Sequence, residues 1–113
     1  MKHDAKVYLH DIQEAGKYIL EFTKGMSMEE YFKSELVKSA VERKFAVIGE
    51  ALVRLREDYP EILERISDHE KIIGFRNVLI HGYDIIEDAT VWSAIENNLQ
   101  KLLDEIEPLL NSF

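Results

Sequence analysis

The sequence predicts an all-α protein, an antiparallel four-helix bundle with a short extra helical turn. Apolar residues recur at steps of three and four along most of the 113 residues, and no useful stretch alternates apolar with polar residues as a strand would. The punctuation between the periodic segments is short, which joins neighbouring helices as antiparallel partners. All of residues 1–113 are expected to form one domain.

Each element has its own signals. Tyr8, Ile12, Ala15, Ile19 and Phe22 make the stripe of the first helix, and Lys24-Gly25 stops it. Ser27-Met28-Glu29-Glu30 has capping-box spacing, with Ser27 as N-cap and Glu30 reaching back. A long helix follows, striped by Val37, Val41, Phe45, Ile48, Leu52 and Leu55. Asp58-Tyr59-Pro60 ends it, because the residue before a proline is pushed out of the helical region. A helical turn is expected over residues 61–66. Ser67-Asp68-His69-Glu70 offers a second capping box, opening the helix that leads to Gly82, where it should end or kink. Asp88 can cap the last helix, whose stripe is Trp92, Ile95, Leu99, Leu102, Ile106 and Leu109. Inside the long helix, Gly49 and Ala51 flank Glu50. A glycine there costs up to about 1 kcal/mol, so close approach of another helix is the favoured reason, against mere tolerated weakness.

Composition removes several function classes. With no cysteine there is neither a disulfide framework nor a thiolate metal site. The opening residues, Met1-Lys2-His3-Asp4-Ala5-Lys6, are polar and lack the apolar core of a signal peptide, and no apolar run approaches the roughly 20 residues of a membrane span. A cytoplasmic location is therefore expected. The net charge is −8, with seven carboxylates against one lysine in residues 84–113. A generic nucleic-acid binder would be basic, since phosphate neutralisation drives its affinity. Any RNA contact here is local, and the acidic C-terminal part suits docking to a basic protein surface.

The chemistry concentrates in Arg76-Asn77-Val78-Leu79-Ile80-His81-Gly82-Tyr83. Arg76 offers a planar fork of donors that fits a phosphodiester and never loses its charge. His81, near a helix C-terminus, can move protons near neutral pH. Asn77 can orient the imidazole or the phosphate, and Tyr83 can donate a hydrogen bond to substrate or be a modification target. Val78 and Leu79 should point into the core. In RNA the 2′-hydroxyl is a built-in nucleophile, so such a set can cut RNA with no metal and no cofactor. On an ideal helix Asn77 and His81 share a face, whereas Arg76 and His81 diverge by about 140°. Either the helix loosens before Gly82, or the two residues meet across a cleft formed with another chain.

Blander readings compete on spacing alone. An arginine on a helix is usually solvated or salt-bridged, a histidine near a helix end is often a favourable terminal charge, and a tyrosine after glycine is often a core plug. His3 and His10 share one face of the first helix without the carboxylates that would complete a metal set, and read as solvated residues. His69 reads as part of its helix's first turn. Glu50 is either an exposed acid or the partner of Arg76, and its small neighbours favour the partner role.

The octapeptide resembles the R-N-x-x-x-H-x-Y signature of the HEPN superfamily, specifically its HepT-like toxins. Ile48-Gly49-Glu50-Ala51 is similar to the I-G-E-A segment of that family's long helix, and Val91-Trp92 to the V-W that opens its last helix. The order and spacing of the three segments span nearly the whole chain. One departure precedes the motif helix: many members carry Pro-Trp where this chain reads Ser67-Asp68-His69-Glu70-Lys71. The resemblance implies a homodimer whose two motifs line a shared cleft, and a metal-independent endoribonuclease toxin acting on tRNA or mRNA rather than DNA. It implies catalytic roles for Arg76 and His81, and supporting roles for Asn77 and Tyr83. It implies an antitoxin partner, a small nucleotidyltransferase of the MNT type, which silences the toxin by adding AMP to the motif tyrosine, here Tyr83. The alternative is a non-catalytic nucleotide-binding or interaction module that partners such a nucleotidyltransferase, and a weaker third option is a structural helical adaptor.

Overall fold

The computed structural model of the chain describes residues 3–81 and 87–113, and for Ile80 and His81 the backbone alone. The architecture is an all-α helical bundle, with no strand among the described residues. Its elements are α1 (Ala5–Thr23), α2 (Met28–Lys33), α3 (Glu35–Asp58), α4 (Pro60–Leu63), α5 (His69–His81), α6 (Asp88–Ala94), a π-helical turn (Ile95–Leu99) and α7 (Gln100–Asn111). No described helix is long and apolar enough to cross a membrane.

The predicted stripes are the core. Tyr8, Ile12, Ala15 and Ile19 of α1 are buried, as are Val41, Phe45, Ile48, Leu52 and Leu55 of α3. Helix α3 is the central member, packed on one side by α1 and on another by α5, while α7 lies against α1. Helices α1 and α3 run antiparallel: Tyr8 at the start of α1 donates to Asp58 Oδ2 at the end of α3 (3.5 Å), and the Tyr59 hydroxyl donates to the His3 carbonyl (2.8 Å). Asp4 caps α1 by accepting from the Lys6 N–H. The turn after α1 needs a left-handed residue, and Gly25 supplies it at φ 76°.

Two local caps give way to longer-range partners, and the long helix starts later than its apolar stripe suggests. The capping box at Ser27 is present, Ser27 Oγ accepting from Glu30 N–H (3.1 Å) while Glu30 accepts from Ser27 N–H (2.9 Å). The Ser27 N–H, joined by the Ser27 hydroxyl, holds the Glu30 carboxyl below the usual carboxylate range. Yet the helix it opens lasts six residues and is not the long one. Ser34 breaks the run in an extended conformation, and its hydroxyl accepts from Val37 N–H to cap α3. The long apolar period passes through this break because α2 turns its one buried residue, Tyr31, onto the Trp92 ring (5.3 Å between centroids). Tyr31 is fully buried and its hydroxyl has no hydrogen-bond partner among the described residues; burial, with Glu42 and Asp88 nearby, pushes its pKa up.

Ser67 does not cap α5 through Glu70. Its N–H and hydroxyl both go to the Glu105 carboxylate of α7 (3.1–3.3 Å). Asp68 accepts from Asn98 Nδ2 (2.9 Å) and faces Lys101 (3.5 Å), which together hold its carboxyl below the usual range. Asp88 is the first residue of α6 rather than its cap, because Lys38 of α3 claims its carboxylate (3.1 Å). The extra turn spans Pro60–Leu63, with Pro60 at the first helical position, where its missing N–H has no cost. The last helix is buried along the whole predicted stripe, and it widens into the π turn from which Asn98 reaches Asp68.

Candidate functional site at the end of α5

Helix α5 is fixed by its first two turns. Ile72 and Ile73 are buried, and Phe75 packs edge-on against Phe45 of α3 (5.3 Å between centroids). Arg76 then lies directly over Gly49. A Cβ added at Gly49 would overlap Arg76 Cβ and Cγ and stand 3.4 Å from Cδ. The glycine in the long helix is thus the close-approach point that lets the Arg76 stem lie flat on α3.

The guanidinium is held by its neighbours. Its NH2 group donates to Glu50 Oε2, and NH1 donates to Asn77 Oδ1 (2.8 Å). The side chain is 19% exposed, and its buried Nε–H has no partner among the described residues. Glu50 is the partner of Arg76, as its small neighbours suggested, though it is 43% exposed. The same carboxylate also meets Arg54 Nε through Oε1 (3.4 Å), and Arg54 leans on Glu57 (3.7 Å). One carboxylate therefore sits between two guanidiniums from two different helices. An oxygen of a bound phosphodiester could take the same position, since guanidinium forks fit both anions.

The structure brings together Arg76, Asn77 and Glu50. The backbone is helical through His81, so no loosening occurs before that residue, and Arg76 and His81 stand about 140° apart around the axis. The His81 side chain, Gly82 and Tyr83 lie outside the described residues. Asn77 is exposed and its carbonyl is engaged by Arg76. Val78 does not enter the core: it is exposed and borders an apolar groove of about 510 Å³ between α5 and the last helix, while Leu79 is half-buried. The reason is the placement of Arg76, which turns the α3-facing side of the helix towards positions 72, 73 and 76. His69 begins α5, and its Nδ1 is buried without a partner among the described residues. His3 and His10 are exposed, the first edge-on to Tyr8 and the second 4.0 Å from Glu14. Among the described residues no three His, Asp or Glu side chains converge as a metal set would. Arg54 was not among the residues singled out from the sequence; its i,i+4 spacing from Glu50 was the signal that could have found it.

Comparison with known proteins identifies the family. The profile of the family described as ribonuclease HepT-like matches residues 12–109. A candidate RNase of Methanocaldococcus jannaschii is 32% identical over 94% of this chain and 96% of its own length. A second candidate RNase of that organism is 34% identical over 96% and 89%. A probable ribonuclease HepT of Thermococcus cleftensis is 30% identical over 96% and 98%. No solved structure gives a significant match. By its profile match and its full-length relatives, the chain belongs to the HepT-like ribonuclease family.

Proposed function

We propose that this chain is a metal-independent endoribonuclease, the toxin of a toxin–antitoxin pair. The observation that carries the reading is the Arg76 guanidinium, pinned over Gly49 and held on an exchangeable carboxylate at the surface, in a family of ribonucleases. Arg76 holds the scissile phosphodiester and offsets the charge of its transition state. His81 takes the proton from the 2′-hydroxyl as the 2′-oxygen attacks phosphorus in line. The bond from phosphorus to the 5′-oxygen breaks, and the leaving oxygen takes up a proton. The products are a 2′,3′-cyclic phosphate and a 5′-hydroxyl. Asn77 orients the guanidinium through its carbonyl, and Tyr83 assists at the substrate.

The 140° between Arg76 and His81 supports a homodimer in which the two motifs face one cleft, so that each set is completed across chains. The cognate antitoxin is a small MNT-type nucleotidyltransferase, and AMP added to Tyr83 silences the site by placing a charged group in the cleft. Purified protein is expected to cleave RNA in EDTA, and His81→Ala to abolish cleavage. Activity that survives His81→Ala, or that needs a divalent metal, defeats this mechanism. The net charge of −8 favours a second reading, a non-catalytic nucleotide-binding partner of the nucleotidyltransferase. Calorimetric ATP or AMP binding by a protein that leaves RNA intact would select it.

A further inference from the structure

The outer face of α3 carries Arg43, Val47, Glu50 and Arg54 at steps of four, three and four, so these residues line one side of the helix. Together with His3, Tyr8 and Asp11 they border a groove of about 490 Å³ between the start of α1 and α3. Glu50 lines the groove and also holds the Arg76 guanidinium, so the groove reaches the carboxylate on which Arg76 rests. Its charged walls are Arg43 and Arg54, with His3, against Asp11 and Glu50. Glu50 is already shared by two guanidiniums. Arg43 is exposed and forms no ion pair among the described residues. Arg54 is 54% exposed and its contacts of 3.4 and 3.7 Å are long. Ion pairs this exposed are worth little, so the Arg54 guanidinium can exchange a carboxylate for another oxyanion at small cost.

We infer that Arg54 and Arg43 are phosphate-contacting residues, which lead a single RNA strand along the α1–α3 groove to Arg76. The inference rests on the ribonuclease reading and extends it from the scissile phosphate to its neighbours. Glu50 holds the position of a phosphate oxygen, between the two arginines, Arg54 and Arg76, that take adjacent phosphates. Eleven residues of helix separate Arg43 from Arg54, about 16 Å at 1.5 Å per residue. The groove thus presents two exposed guanidiniums on a chain that is otherwise acidic.

The test uses the full chain with His81→Ala, which binds without cutting, and a short single-stranded RNA. Binding is measured against salt concentration. Each phosphate contact on a single strand contributes a slope of about 0.7 in log K against log salt. Arg43→Gln and Arg54→Gln are each expected to lower the slope by about 0.7, and together by about 1.4, while Arg54→Lys restores its share. In the cleaving chain, the same glutamine variants should lose activity through KM far more than through kcat. If the parent binds and cuts RNA but slope and KM do not change in the double variant, the inference falls and the ribonuclease reading stands. If the parent neither binds nor cuts, both fall. A changed oligomeric state of the double variant in sedimentation would mark these arginines as a subunit contact, and would also overturn the inference.

Discussion

Lys38 and Arg76 occupy comparable positions with different degrees of satisfaction. Each is a shielded cation that ties α3 to another helix, Lys38 to α6 and Arg76 from α5, so the two pairs flank the segment that carries the motif. Lys38 is 13% exposed and reaches two carboxylates, Glu35 at 2.9 Å and Asp88 at 3.1 Å. Those bonds raise its pKa above the usual lysine value. Arg76 is 19% exposed, shares its one carboxylate with Arg54, and keeps a buried Nε–H without a partner among the described residues. A cation held by two carboxylates that it shares with no other cation among the described residues fastens two helices. A cation with a shared anion and an unused donor retains capacity for a ligand. The contrast separates a structural ion pair from a site more clearly than residue type or burial does.

The largest expected effect comes from the contact that puts Arg76 in place. Gly49→Ala would drive a methyl group into the Arg76 stem close to its backbone, where no flexible end can move aside. The helix must shift, at a cost of about 1–3 kcal/mol for overpacking. Displacing Arg76 by about 1 Å should cost up to about a hundredfold in RNA cleavage. Thermal unfolding and a cleavage assay in EDTA measure the two losses; a folded Gly49→Ala protein with full activity would remove the link between this glycine and the site. A smaller effect is expected from Lys38→Met, which leaves Asp88 and Glu35 without their cation. The thermal midpoint should fall while cleavage per folded molecule is unchanged. The difference from the parent should be full at neutral pH and be lost as pH rises through the raised lysine pKa, because there the parent loses the charge. Loss of cleavage in this variant would erase the distinction between the two cations.

The smallest effect is at Glu42. Burial first, and then Asp88, push its carboxyl above the usual carboxylate range. A folded pKa above the unfolded one means that the ionised acid opposes folding at neutral pH. The penalty develops as pH rises from the ordinary carboxylate range through the folded value. Glu42→Gln should therefore stabilise the protein at pH 7, by well under about 1 kcal/mol after solvent screening, with the gain fading below pH ~4.5. Denaturant unfolding at the two pH values measures it, and a loss of stability at pH 7 would reverse the sign argued here.

The bundle was legible because its stripes are continuous: every predicted core position from Tyr8 to Ile19 and from Trp92 to Leu109 is buried. Gly49 and Glu50 were legible for a different reason, since a glycine inside a good helix requires an explanation that the Arg76 contact supplies. The misses share a cause. Ser67 and Asp88 have the chemistry of local caps, but Glu105 and Lys38, 38 and 50 residues away, take their polar groups. Capping rules see three or four residues, and a partner brought in by the tertiary fold overrides them. Ser34 was hidden because a residue that interrupts a helix can preserve its apolar period. The π turn left no mark, since its residues keep the three-and-four spacing of an ordinary helix. The bond from Arg76 to Asn77 joins adjacent residues, which a helix directs apart, so only the pull of Gly49 and Glu50 on the guanidinium stem makes it possible.

The contact between Tyr31 and Trp92 has an optical consequence. Trp92 is the chain's one tryptophan, 9% exposed and 5.3 Å from a buried phenol, and it sits where α2 meets α6, just after the segment that carries Tyr83. Its fluorescence is therefore a single-residue signal that reports this junction and no other. Tyr31 beside it is close enough to pass excitation energy to the indole. The protein thus carries an intrinsic probe at one boundary of its motif segment, with no label to introduce and no second indole to subtract.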